Sequence, residues 1–252
     1  MLTKFVKAVV PYRLLAAARI AAAHEIARIP LVAIPSVLGV VDRFVNTYGY
    51  GRAIVDNAPV DATGSPLPWY TYPMIEYLES FDLSALRIFE YGCGNSTLWW
   101  MKRVTEVVSV EDDPQWYNRI TQQLAPNAHV YLKQNPTEYI NAIEDFGMFD
   151  LIVVDGASRY ECCRAAIKHL NPGGGIIMDN ADCLPKSTEL LRSTGLFEIA
   201  MNGFTVMLSR ASRTSLFISQ PCRLSPLPHR PAMGGTLEDW DEDQSNSKES
   251  ID

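Results

Sequence analysis

RIFEYGCGNST, residues 87–97, combines an apolar run, two glycines and the start of a helical stretch. Gly92 and Gly94 allow the backbone to turn tightly and to approach a ligand without a Cβ in the way. A helix that begins near Asn95 and Ser96 would offer its free N–H groups to a polar ligand. The segment therefore predicts a strand, a ligand-binding loop and a helix in succession.

The segments that follow repeat this alternation of apolar runs and helical stretches. The apolar runs are residues 87–92, 106–111, 129–133, 149–156 and 174–180. Short buried strands that alternate with helices predict an α/β fold with a Rossmann-like, doubly wound, mostly parallel sheet. Residues 197–204 and 205–219 predict further strands, which we expect to form an antiparallel pair at the C-terminal end.

Composition divides the 252 residues into four parts. We predict a basic helical N-terminal extension at 1–50, an irregular linker at 51–69, one α/β domain at 70–219 and a disordered acidic tail at 220–252. The overall net charge is −7, although the first 43 residues carry six basic and only two acidic side chains. Because nucleic-acid-binding proteins usually have a basic surface, this charge argues against a nucleic-acid partner.

The alanine-rich run LLAAARIAAAHEIARI (14–29) favours helix, but arginines interrupt it. No stretch of about 18 uncharged apolar residues is left to span a bilayer. The extension either packs on the domain or lies on a membrane surface through residues 1–45, and its basic pattern is also typical of an organelle transit peptide. Five cysteines without zinc spacing favour a reducing compartment, so we expect a cytoplasmic protein with or without membrane association.

Two cofactor classes compete for the glycine loop. A dinucleotide-binding loop has the pattern G-x-G-x-x-G, whereas Thr97 stands at its last position. The carboxylate of Glu90 would repel a pyrophosphate, but it would attract the cationic amino-acid end of S-adenosylmethionine (SAM), directly or through water. The loop therefore favours SAM over NAD.

Carboxylates follow the next strand, in VEDD (110–113), about twenty residues beyond the glycines. An acid at this position can accept both hydroxyls of a ribose. Glu111, directly at the strand end, is the best candidate, while Asp112 and Asp113 either contribute or cap the helix that starts at Pro114. Both cofactors contain ribose, so these acids do not discriminate between them.

The motif E-x-G-x-G, the later acid, an Asp-Gly strand end and a PGG-strand together resemble the class I SAM-dependent methyltransferases over roughly residues 70–218. In addition, PLPWYTYP before EYGCGNSTLWW resembles a group of largely uncharacterised bacterial methyltransferase-like proteins. The resemblance implies a methyltransferase domain that uses SAM. It also implies that Gln134 and Asn135, after the third strand, contact the adenine, the alternative being an ordinary polar loop.

The spacing of VVDG and IIMDN resembles the catechol and caffeoyl-CoA type O-methyltransferases. This resemblance implies that Asp155, Asp179 and Asn180 hold a divalent cation such as Mg²⁺, with Asp155 as the catalytic group that faces the acceptor. Hard oxygen ligands suit Mg²⁺ or Ca²⁺, which would lower the pKa of an acceptor hydroxyl. The position of that family's Lys or His base is Ser158 here, followed by Arg159, and this departure argues against metal-dependent methylation.

The resemblance implies a small-molecule or saccharide acceptor, methylated at a hydroxyl. No nucleic-acid target is expected, because DGASRY stands where base-methylating enzymes carry an Asn-Pro-Pro-Tyr type motif. Two alternatives stay open: an NAD-type oxidoreductase, and a non-catalytic protein of methyltransferase fold that binds a partner or a membrane surface.

Overall fold

The computed structural model describes residues 33–228. Its helices are α1 (Ile34–Asp42), α2 (Tyr50–Asp56), α3 (Tyr72–Leu78), α4 (Asn95–Trp100), α5 (Pro114–Thr121), α6 (Pro136–Asn141), α7 (Arg159–Lys168) and α8 (Pro185–Ser193). Its strands are β1 (Phe81–Asp82), β2 (Arg87–Tyr91), β3 (Glu106–Glu111), β4 (Ala128–Leu132), β5 (Phe149–Val154), β6 (Leu170–Met178), β7 (Phe197–Phe204), β8 (Ala211–Ile218) and β9 (Ser225–Pro226). Short 3₁₀ or π-helical turns occupy Arg43–Thr47, Ala142–Asp145 and Ala181–Cys183.

Seven strands form one sheet in the order β4-β3-β2-β5-β6-β8-β7. The pairs from β4 to β6 are parallel, whereas β8 runs antiparallel to both β6 and β7. This arrangement confirms the prediction of a Rossmann-like, mostly parallel sheet with a C-terminal antiparallel pair.

The strand residues divide alternately between two apolar layers, one on each face of the sheet. In β5, Leu151 and Val153 belong to one buried cluster, whereas Ile152 and Val154 belong to the other. Side chains of a strand point alternately to its two faces, so a strand covered on both faces must be apolar throughout. Residues 149–154 (FDLIVV) are all buried, which explains why they are apolar except for Asp150, whose carboxylate pairs with Arg223.

The direction in which the sheet is wound reverses between β2 and β5. From β2 the chain builds outward through β3 and β4, and it then returns to place β5 on the other side of β2. The backbones that leave these two strands meet at Gly92 and Gly156, where a Cβ on Gly156 would lie 2.9 Å from the Gly92 nitrogen. Open α/β sheets bind ligands at such a reversal, outside the carboxyl ends of the strands.

The segments outside the sheet differ in part from their predicted boundaries. Helix α2 extends into the expected linker at 51–69 and ends at Asp56, followed by the C-cap Asn57 with a left-handed backbone. Strand β9, within the expected tail, pairs with β1. The remainder of both predicted terminal segments, 1–32 and 229–252, lies outside the described residues. Within 33–228, no helix is long and apolar enough to cross a bilayer.

We expect Gly156→Ala to lower the free energy of unfolding by about 1–3 kcal/mol, the usual cost of overpacking. The new Cβ would lie 2.0 Å from the hydroxyl oxygen of buried Tyr139 as well as against Gly92. Gly94→Ala is the matched control, because its Cβ would meet nothing closer than the Ser96 hydroxyl at 3.8 Å. Urea denaturation measures both, and equal unfolding free energies for the two variants would contradict the close approach.

Candidate active site

A cavity of about 470 Å³ opens at the carboxyl ends of β2, β3, β5 and β6. Its volume lies within the range of small-molecule sites. It is lined by Pro59, Trp69, Gly92, Cys93, Gly94, Asn95, Ser96, Glu111, Asp112, Asp113, Trp116, Asp155, Gly156, Ala157, Arg159, Asp179, Asn180, Thr205, Leu208 and Arg210. The cavity therefore coincides with the reversal of the sheet.

Gly92 and Gly94 of the predicted loop are glycine for different structural reasons. Gly92 has φ +92°, and a Cβ there would lie 2.8 Å from the Gly156 Cα, so the fold itself requires glycine. Gly94 has an extended backbone that any residue can adopt, and a Cβ would find open space. Because Gly94 lines the cavity, the absence of a side chain there keeps free the volume next to the loop backbone.

Thr97 and Glu90 stabilise the glycine loop through hydrogen bonds, and neither of them lines the cavity. The Thr97 hydroxyl accepts from the Gly94 N–H at 3.1 Å and donates to Glu90 Oε2 at 2.5 Å. The Ser109 hydroxyl of β3 donates to the same oxygen at 2.7 Å, and Glu90 Oε1 has no partner among the described residues. Glu90 is fully buried and does not line the cavity, so it is placed to organise the loop.

Burial raises the pKa of Glu90 to about 7, against the opposing effect of the hydroxyls that donate to it. Desolvation disfavours the charged form of a carboxyl group. The electrostatic attraction expected between Glu90 and a cationic ligand is therefore weakened near neutral pH. The exposed acids of the cavity lining, Asp112 and Asp113, are better placed to provide it.

The acids after β3 divide between two structural tasks. Glu111 Oε2 accepts from the Cys93 N–H at 2.7 Å, and its Oε1 accepts from the N–H groups of Asp112 and Asp113 at 3.0 and 2.9 Å. Asp113 caps α5 by accepting from the Gln115 N–H at 2.7 Å. The Asp112 carboxylate is exposed and has no hydrogen-bond or ion-pair partner within residues 33–228.

Asp155 and Asp179 contribute two further carboxyl groups to the cavity lining. Burial, and then the neighbouring charge of Asp179, raises the pKa of Asp155, while Arg159 opposes the shift. Burial raises the pKa of Asp179 to about 6, although the Thr214 hydroxyl donates to its Oδ1 at 2.6 Å. Two carboxyl groups with raised pKa values beside a cavity are candidates for general acid–base chemistry.

The predicted metal ligands do come together, but a side chain lies among them. The Arg159 guanidinium donates to Asp155 Oδ1 at 2.9 Å and to Asn180 Oδ1 at 3.0 Å. It also donates to the backbone carbonyl of Asp179 at 2.5 Å. Within the described part of the chain, no group of three His, Cys, Asp or Glu side chains is suited to hold a metal ion. These residues do not fit a divalent cation, and the expectation of Mg²⁺ is not supported.

The two residues expected at the adenine lie away from this cavity. Gln134 and Asn135 are exposed and are not among its lining residues. The Asn135 side chain caps α6 by accepting from the N–H groups of Thr137 and Glu138. Adjacent Trp99 and Trp100 are both buried in the core, with ring centroids 4.6 Å apart, so neither forms the cavity wall.

Four lining residues come from segments in which no site residue was predicted: Pro59, Thr205, Leu208 and Arg210. Pro59 reaches the site because its carbonyl accepts from the buried Asn95 amide at 2.6 Å. The bridge between Thr71 and Thr205 connects the chain after Trp69 to the end of β7. Contacts of this kind join segments far apart in sequence, and no local motif indicates them.

No protein-family model matches the chain, and neither does any curated protein. A precorrin-8w decarboxylase structure from Methanobacterium thermoautotrophicum is 19% identical, with a TM-score of 0.46 over 65% of this chain and 97% of that one. A precorrin-6y C5,15-methyltransferase from Geobacter metallireducens is 14% identical, with a TM-score of 0.46 over 57% and 87%. An rRNA methylase from Streptococcus thermophilus is 17% identical, with a TM-score of 0.43 over 59% and 97%. The names of these proteins refer to precorrin and to rRNA.

Glu90→Gln should change how stability depends on pH. A carboxyl group whose pKa is raised from 4.5 to about 7 on folding contributes stability below pH 4.5 that is lost as the pH rises through 7. Gln does not titrate, so the stability of wild type relative to Glu90→Gln should fall by about 3 kcal/mol between pH 4 and pH 8. Urea denaturation across this range measures the difference. If the unfolding free energies of wild type and Glu90→Gln change in parallel with pH, the pKa of Glu90 is the same in the folded and unfolded states, which would contradict the prediction.

Proposed function

We propose that this chain is a SAM-dependent methyltransferase of class I. The observation that carries the proposal is the acidic lining of a cavity located at the reversal of the sheet. Five lining residues are acidic, Glu111, Asp112, Asp113, Asp155 and Asp179, against the two arginines, Arg159 and Arg210. SAM brings a sulfonium and an ammonium group, which such a lining attracts.

The same lining disfavours a dinucleotide. A pyrophosphate beside the glycine loop would meet carboxylates, and Arg159 is already paired with Asp155. The position of the third glycine in a dinucleotide loop is occupied by Thr97, which is fully buried and hydrogen-bonded to Glu90. These contacts support SAM rather than NAD.

On this proposal, the glycine loop and the residues at the end of β3 bind different parts of the cofactor. Glu111 uses both oxygens to hold backbone N–H groups, and its Oε2, with a single such bond, keeps a lone pair for a ribose hydroxyl. Asp112, without a partner among the described residues, accepts the second hydroxyl. Gly94, Asn95 and Ser96 present the loop to the cofactor, and Glu90 supports the loop through Thr97.

We further propose that the acceptor is a small molecule or saccharide that offers a hydroxyl. Asp155 is the catalytic group and accepts the hydroxyl proton while the oxygen attacks the methyl carbon and the carbon–sulfur bond breaks. Burial raises the pKa of Asp155, and a carboxylate with a raised pKa is a stronger base than an ordinary one. Since SAM is already activated, alignment of the two reactants supplies much of the rate.

Isothermal titration calorimetry of the full chain should detect binding of SAM and no binding of NADH. Asp112→Ala should weaken SAM binding by about 10- to 100-fold, because it removes a charged hydrogen-bond acceptor for the ribose. Glu138→Ala is the control, since Glu138 is exposed and does not line the cavity. Retention of NADH without SAM would overturn the proposed function.

Gly94→Ala should weaken SAM binding at least about tenfold while the unfolding free energy stays that of wild type. The open space at this position lies in the cavity, and an added methyl group would occupy cofactor volume at a cost of about 1–3 kcal/mol. Calorimetry and urea denaturation together separate the two effects. Full SAM affinity in this variant would place the cofactor away from the loop.

A further inference from the structure

All five N–H donors of the Arg159 guanidinium are used within the protein. Nε donates to the Gly156 carbonyl at 3.0 Å, and Nη1 donates to the Asp179 carbonyl at 2.5 Å and to Asn180 Oδ1 at 3.0 Å. Nη2 donates to the Asp155 carbonyl at 2.8 Å and to Asp155 Oδ1 at 2.9 Å. A guanidinium has five N–H groups, so no donor is left for a ligand.

The backbone on both sides of this guanidinium adopts an uncommon conformation. Arg159 is the first residue of α7, and Ser158 before it has φ +49°. Asn180, after β6, has φ +54°. Left-handed backbone is unfavourable for residues other than glycine, least so for asparagine, and it persists where surrounding contacts impose it. The two turns bring the oxygen atoms of both strand ends around one cation.

We propose that Arg159 takes the place of a divalent cation and positions Asp155 and Asn180 toward the acceptor, which makes the site independent of metal. Five oxygen atoms converge on the guanidinium. Oxygen is the ligand atom that Mg²⁺ or Ca²⁺ prefers, and here Arg159 already supplies the positive charge. A metal ion among the same oxygens would displace the guanidinium or be repelled by it. Arg159 acts through Asp155 and Asn180 and touches no acceptor, because its donors are used.

The consequence for methyl transfer rests on the proposed function, but the occupancy of the site by a cation does not. Metal binding can be measured without SAM and without an acceptor. Failure of SAM binding would therefore overturn the proposed function alone, whereas metal binding at Asp155 would overturn this inference alone.

The first experiment titrates the full-length wild-type chain with Mn²⁺ and follows the electron paramagnetic resonance signal of free Mn²⁺. We expect no stoichiometric binding and the same melting temperature in Mg²⁺, in Mn²⁺ and in EDTA. Binding of one equivalent of Mn²⁺ that is lost in Asp155→Asn would overturn the inference.

The second experiment compares Arg159→Ala with Arg164→Ala, a substitution on the same helix that removes an exposed ion pair with Glu161. Arg159→Ala should lower the melting temperature by about 10 °C, because Asp155 loses its charge partner. Arg164→Ala should have the melting temperature of wild type. Mn²⁺ should bind to Arg159→Ala and restore part of the lost melting temperature, since the oxygen atoms are then free.

A purely structural arginine would give a different pattern. If Arg159→Ala is destabilised but neither binds Mn²⁺ nor regains stability with it, the oxygen cluster is not a cation site and the inference fails. If the melting temperature of Arg159→Ala equals that of wild type, Arg159 does not position Asp155 and the inference fails. Should Arg159→Ala not fold, Arg159→Lys keeps a charge with fewer donors, and it should remain folded and still exclude Mn²⁺.

Discussion

Strands β2 and β5 end side by side, and the backbones that continue from them touch at Gly92 and Gly156. The Gly92 N–H is bonded to the Val110 carbonyl of β3 at 2.8 Å, and the Asp155 N–H to the Tyr91 carbonyl at 3.1 Å. These hydrogen bonds extend the pairing of the strands beyond Tyr91 and Val154, so the loops that follow β2 and β5 start at fixed positions. This contact places the glycine loop and Asp155, because the loop starts on one side of it and Asp155 precedes the other.

The carboxyl groups beside this cavity are compensated by hydrogen bonds and by one ion pair. Ionised groups out of water are costly unless they are paired or hydrogen-bonded. Glu90 has two hydroxyl donors, Asp179 has the Thr214 hydroxyl, and Asp155 has Arg159. The compensation is incomplete, as the raised pKa values of these three groups show. Stability is therefore given up in the region where a base with a raised pKa is useful, a pattern typical of functional sites.

The sheet could be predicted from sequence because its signal is local. β3 and β7 have the predicted bounds, since alternating burial and short apolar runs depend only on nearby residues. The role of Glu90 could not be derived in the same way. Its partners include Ser109, nineteen positions along the chain and on another strand, and from sequence it looked like an acid that faces the cofactor. The cap formed by Asn135 was predictable in kind, but it competes with a cofactor contact that the same residue type could make.

The role of Arg159 could not be predicted from the sequence pattern. The pattern Asp155, Asp179 and Asn180 recurs where a metal is bound, and the identity of the ligands alone implies one. Whether a cation must come from solution depends on the charge already present among those oxygens, which only the three-dimensional arrangement reveals. A metal ion occupies its site according to its free concentration, whereas a guanidinium attached to the chain is present in every folded molecule. With Arg159 in that position, the geometry of Asp155 is established by folding itself, because its charge partner is part of the same chain.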